Sequence, residues 1–194
     1  MNDIPDHMEK KNNLYALDYL RDGRKYAVAG LDRKIYVYDS QTKDLVCTML
    51  NKGLKVSGHI NRVYCIKSHP EDKNLLVSSG WDGMLKIYDI RDKAPVASMG
   101  GSQVSGDSLD IYDDMIVAGS YRTKDVMQIY SFSQRKKVHN FEYYQGTNRE
   151  YADSGNIFST RFSNDGNFIF AGGAGKNELK VFANNSDTKA DFKI

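Results

Sequence analysis

Four histidines are the first residues to weigh for chemistry, and they do not converge. His7, His59, His69 and His139 lie far apart in the chain, and no two have metal-ligand spacing. Neither a metal centre nor a cofactor is expected. Asp22 and the pair Asp113-Asp114 sit in turn-like stretches, where Asp satisfies its own backbone, so paired-carboxylate acid–base work has no support. Gly172-Gly173-Ala174-Gly175-Lys176 looks like a phosphate loop. It lacks the leading glycine, has Asn177 in place of Ser or Thr, and precedes a strand-like run rather than a helix, so it reads as a hairpin turn. No Gly-x-Ser-x-Gly elbow or Cys–His pairing offers a nucleophile. Cys47 and Cys65 each lie in an apolar run and read as buried thiols of a reducing compartment. The sequon Asn184-Asn185-Ser186 then carries no sugar.

Composition excludes further classes. The chain has 194 residues, 40% hydrophobic and 27% charged, enough to bury the core of one domain. A net charge of +2 argues against nucleic acid or an acidic membrane as partner. No apolar run approaches the roughly 18 residues of a membrane span. The first residues, Met1 to His7, have neither a basic nor an apolar region of a secretory leader. A cytoplasmic setting follows.

The elements that position any site are short strands. Leu85-Lys86-Ile87-Tyr88 recurs in pattern as Ile35-Tyr36-Val37-Tyr38, Met127-Gln128-Ile129-Tyr130 and Leu179-Lys180-Val181-Phe182, each reading apolar, any, apolar, aromatic. The closing aromatics recur about every 40 to 50 residues, which marks repeats. Around each copy lie other period-two or apolar runs, separated by turns such as Arg21-Asp22-Gly23-Arg24, Trp81-Asp82-Gly83 and Asn164-Asp165-Gly166. Four units emerge, 14–51, 58–101, 106–144 and 155–194, each a four-stranded antiparallel meander within one domain, 1–194. The last strand of the last unit is the weakest, with Thr188 to Ile194 its only candidate. Helical periodicity is essentially absent. In the third strand of a unit, Leu85 and Ile87 point one way and Tyr88 the other, so both sheet faces are apolar and must stack on copies of themselves. Radial stacking gives an all-β propeller of about four blades.

At this point the sequence resembles the WD-repeat propeller family. The carrying residues are Gly58-His59, Leu76 to Gly83 with Trp81-Asp82, and Leu85 to Asp89. The resemblance implies a bracing network of His59, Ser78, Asp82 and Tyr88, with Tyr88 in place of the usual Trp. The other units depart from it. Val28 stands where the first unit would have Ser, and the third and fourth offer Gly106-Asp107 and Gly155-Asn156 for Gly-His. Family rings usually close with seven or eight blades. The resemblance therefore implies the C-terminal part of a longer propeller, or a ring completed by another chain.

Trp81, the only Trp, sits in a turn on the rim where the family often binds partners. Matching turns offer Leu31 and Arg33, Tyr121 and Arg122, and Lys176. Aromatic and Arg side chains are preferred interface anchors. The implied function is a non-enzymatic protein–protein interaction scaffold, a subunit of a larger assembly. The Gly106 to Ile111 segment is similar to protist WD-repeat proteins, which leans the setting towards cytoskeleton or cilium. The alternatives are a phosphopeptide or degron reader using Arg33, Arg122 and Lys176, and an enzyme in the central channel. The channel-lining strands offer only Asp18, Asp107 and Asp110 for catalysis.

Overall fold

The computed structural model describes residues 12–49, 56–122, 125–141, 156–174, 179–184 and 191–193. These contain sixteen strands and no helix. The first sheet is β1 (Leu14–Tyr19), β2 (Lys25–Gly30), β3 (Ile35–Asp39) and β4 (Leu45–Met49). The second is β5 (Val63–Ser68), β6 (Leu75–Gly80), β7 (Met84–Asp89) and β8 (Ala94–Gly100). The third is β9 (Leu109–Tyr112), β10 (Met115–Gly119), β11 (Met127–Ser131) and β12 (Lys136–Phe141). The fourth is β13 (Ile157–Phe162), β14 (Phe168–Gly173), β15 (Leu179–Ala183) and β16 (Asp191–Lys193). In every sheet the strands lie in chain order and pair antiparallel. The protein is all-β, with four sheets of propeller-blade plan. The weakest strand expected from the sequence is also the shortest observed, β16.

Local chemistry sets the turns. Met84 N–H donates to Asp82 Oδ1 at 3.1 Å, and Gly83 adopts φ +69°, a conformation that disfavours any residue with a Cβ. The glycine ending the second strand has another role. A Cβ on Gly30, Gly80 or Gly173 would lie 1.9 Å from the carbonyl oxygen of Asn13, Arg62 or Asn156, respectively. Close strand approach therefore requires Gly at this position in three sheets.

Period-two alternation divides each sheet between two apolar layers. Ala27, Ala29, Ile35 and Val37 of the first sheet pack with Val63, Ile66, Leu76 and Tyr88 of the second. Leu85 and Ile87, on the opposite face, pack with Leu109, Ile116 and Tyr130 of the third. Val117, Met127 and Ile129 pack with Ile157, Ile169 and Phe182 of the fourth. Each closing aromatic thus plugs the layer shared with the preceding sheet. Tyr38 keeps the same orientation, in a cluster with Val28 and Tyr36 on the outer face of the first sheet.

The residue treated as arbitrary in the repeated pattern is not arbitrary in space. Tyr36, Lys86, Gln128 and Lys180 share one register position and are all buried. The Lys86 ammonium donates to Ser57 O at 2.7 Å and to Ser98 Oγ at 3.2 Å, and burial pulls its pKa down. The Tyr36 hydroxyl donates to Asp32 Oδ2 at 2.6 Å.

Candidate interaction surface

The four residues expected to brace the second sheet do come together. His59 Nδ1 lies 2.7 Å from Asp82 Oδ2, and His59 Nε2 lies 2.8 Å from Ser78 Oγ. The carboxylate only accepts, so Nδ1–H donates to it and Nε2 accepts the Ser78 hydroxyl. Asp82 also accepts the amides of Ile60 and Met84, both at 3.1 Å. Burial pushes the Asp82 carboxyl up, but the His59 imidazole and the two amides outweigh it and hold it below the usual carboxylate range. Tyr88 joins differently from Ser78: its hydroxyl meets the backbone N–H of His59, and its ring lies 6.3 Å from the imidazole.

Ser–His–Asp in this order has the geometry of an acyl-transfer triad. Access decides what it can do. Ser78 is 0% exposed, and so are the side chains of His59 and Asp82. A hydroxyl sealed between sheets cannot meet a substrate. The chain of bonds instead ties the segment before β5 to the β6–β7 turn.

The third sheet makes an equivalent tie with other residues. Ser102 N–H donates to Tyr130 Oη at 3.1 Å, as His59 does to Tyr88. Tyr130 Oη donates to Gln128 Oε1 at 2.6 Å, Ser102 Oγ reaches the same oxygen at 2.9 Å, and Gln128 Nε2 donates to Asn140 Oδ1 at 3.0 Å. Gly101-Ser102 therefore takes the Gly-His place. Gly106-Asp107, chosen from sequence for that place, lies beyond it, with Asp107 bridged to Ser159. The longer lead from Ser102 to β9 is the physical reason for the difference.

Of the three carboxylates expected on the first strands, Asp18 and Asp110 lie on β1 and β9 while Asp107 precedes β9, and all three are already engaged. Asp18 accepts Ser68 N–H at 2.7 Å from the next sheet, and Asp110 accepts Phe162 N–H at 2.8 Å. Burial pushes the Asp18 carboxyl up against the pull of that amide and of Lys67. Asp107 pairs with Lys67 at 3.1 Å and with Arg161, and accepts the Cys65 thiol at 3.2 Å. A cleft of about 200 Å³ between the first two sheets is lined by Tyr15, Tyr64, Cys65, Lys67 and Asp107. Burial pushes the Cys65 thiol far up, so it is not a thiolate nucleophile.

The rim is where exposed groups gather. Trp81, Tyr121, Tyr15 and Phe158 are 36–42% exposed. Their rings form a continuous arc: Tyr15–Tyr64 at 4.8 Å, Tyr64–Trp81 at 5.8 Å, Trp81–Tyr121 at 6.3 Å and Tyr121–Phe158 at 5.8 Å. The Arg62 guanidinium stands 5.8 Å from the Trp81 ring centre. Arg122 lies against Gly83, two residues beyond Trp81, and donates to Gln103 Oε1 at 3.3 Å. Trp81, Tyr121 and Arg122, expected from sequence, are thus brought together. Leu31 and Arg33 belong to the β2–β3 turn, and no described ring contact links them to the arc. Lys176 lies outside the described residues.

Tyr15, Tyr64, Phe158 and Arg62 escaped the sequence reading. Tyr15, Tyr64 and Phe158 each occupy a register shift, between Leu14 and Ala16, Val63 and Cys65, and Ile157 and Ser159. A bulge turns its side chain out of simple alternation, so a strict period-two reading misplaces it. An aromatic at the second residue of each of these strands was the available signal.

Comparison with known proteins agrees with this architecture. Residues 51–89 match the family model described as WD domain, G-beta repeat. A WD repeat-containing protein of Saccharomyces cerevisiae, itself uncharacterized, is 37% identical over 62 residues, covering 32% of this chain and 15% of the relative. The mRNA export factor GLE2 of Chaetomium thermophilum is 24% identical over 114 residues, covering 58% of this chain and 29% of that protein. WD repeat-containing protein 1 of Mus musculus is 32% identical over 77 residues, covering 40% and 12%. The chain spans less than a third of the length of each of these relatives. Residues 51–89, which hold His59, Ser78, Asp82 and Tyr88 and run to the end of β7, thus match a WD repeat, and they lie within a row of four sheets built on the same strand plan.

Proposed function

We propose that this protein is a non-enzymatic interaction scaffold that docks partner proteins on the rim around Trp81 and works within a larger assembly. The aromatic arc from Tyr15 to Phe158 is the observation that carries this reading. Large, part-exposed rings held rigidly by packed sheets supply contact area at little entropic cost, and such residues anchor interfaces. The similarity to WD repeat-containing proteins supports the same reading.

We further propose that another sheet, from this polypeptide or another chain, completes the row. The Tyr38 hydroxyl is buried and meets no hydrogen-bond partner among the described residues, whereas Tyr88 and Tyr130 each meet an amide of the segment entering their sheet. At the far end Phe168, Phe170 and Leu179 of the fourth sheet are 38–54% exposed. A cytoplasmic location fits two free, buried cysteines. A cytoskeletal or ciliary setting rests on the Gly106 to Ile111 segment alone. The reader of phosphopeptides or degrons is the second reading, favoured by Arg122 on the rim.

Affinity purification from native cells of the wild type and of Trp81→Ala tests the scaffold. Partners recovered with the wild type and lost with the variant are expected. Identical partner sets, or a free 22 kDa chain with none, would overturn it.

A further inference from the structure

The chemistry around Trp81 narrows the kind of partner, an inference that rests on the scaffold reading. Two guanidiniums flank one exposed indole: Arg62 over its ring and Arg122 against Gly83 of the same turn. Neither has a carboxylate partner among the described residues. The one acid of the turn, Asp82, is held inward by His59. Ile60 beside it is 74% exposed, and Tyr121 is 42% exposed. The surface is therefore apolar in the middle and positive at its flanks.

Such a surface repels a basic segment and leaves two unneutralised donor sets for an acidic one. The guanidiniums meet the turn at different residues, Trp81 and Gly83. Each can therefore take its own carboxylate from a segment lying along the turn. We propose that this rim binds an acidic segment of a partner protein, with an aromatic or aliphatic side chain seated on Trp81 and Tyr121 and flanking Asp or Glu carboxylates on Arg62 and Arg122.

The lone Trp serves as the reporter. The whole chain is titrated, by Trp fluorescence and by anisotropy of a labelled peptide, with three short peptides. One carries a Phe flanked by Glu residues, one has Gln for every Glu, and one has phosphoserine among the Gln residues. Binding of the Glu peptide is expected, weakened about five- to tenfold in Arg62→Gln and in Arg122→Gln, retained in Arg122→Lys, and weakened by added salt. Circular dichroism confirms that each variant keeps its sheets. Equal binding of the Gln peptide would overturn the proposal. So would capture of the phosphoserine peptide alone, indifference to both arginines, or no binding at all. If the peptide arm fails while Trp81→Ala still strips cellular partners, the acidic chemistry falls and the scaffold stands.

Discussion

The second and third sheets solve one mechanical problem with different residues. Each must fasten the segment arriving from the previous sheet. In the second, the imidazole of His59 spans from Ser78 inside the sheet to Asp82 in the turn, at 2.8 and 2.7 Å. In the third, the arriving residue is only a serine, and the reach comes from the third strand, where Tyr130 and Gln128 converge on Ser102. The shared element is an arriving backbone amide set on a strand-three tyrosine. What holds the fold constant is the position of donors and acceptors, and more than one side-chain set supplies them. One fastening depends on a charge and the other does not.

That difference can be broken experimentally, beginning with the largest effect. Asp82→Ala orphans the buried His59 Nδ1–H and frees two part-exposed turn amides, and is expected to cost about 3 kcal/mol in urea unfolding. Gly101→Ala places a Cβ 2.3 Å from both Gln128 Oε1 and Tyr130 Oη, at φ +150°, and is expected to cost about 2 kcal/mol by disrupting the third sheet's hub. Tyr130→Phe removes the hub hydroxyl and is expected to cost about 1–2 kcal/mol, more than Tyr88→Phe, whose hydroxyl is peripheral to the imidazole bridge. Equal losses from the two tyrosine variants would break the comparison.

Acid sharpens it further. The Asp82 carboxyl is lower in the folded than in the unfolded chain, so its contribution is present above about pH 4 and is lost as pH falls through the folded value. The Ser102–Gln128–Tyr130 tie has no carboxylate. Hydrogen exchange on acidification should expose the amides of Ile60 and Met84, which Asp82 accepts, before that of Ser102, which Tyr130 accepts. A smaller effect is expected on the rim: Trp81→Ala should cost about 1 kcal/mol, because its part-exposed ring packs against Tyr64 and Tyr121.

Much of the second sheet was legible. Gly58-His59, Ser78 and Trp81-Asp82 stand in one meander, and the resemblance to the WD-repeat family that they carry implies the bond between loop and turn. The third sheet was less so. A serine, a glutamine and a tyrosine carry no distinctive spacing, and their meeting depends on the path from Ser102 to β9. The arc was half legible. Trp81 and Tyr121 lie in turns that sequence marks, whereas Tyr15, Tyr64 and Phe158 reach the rim by bulges. A bulge is a non-local outcome of two strands pairing, so alternation along one strand does not reveal it.

By itself the sequence determined the repeat, the four-stranded units, the turns and the apolar faces. These follow from alternation and from Asp-Gly and Gly chemistry within a few residues of chain. The tertiary structure alone decided which side chains from separate sheets share the rim. It also sealed the Ser78–His59–Asp82 chain away from solvent and made the arbitrary third-strand position of the repeat a buried polar one. Each of these depends on how one sheet stacks on the next, and stacking is set by the faces of two sheets together.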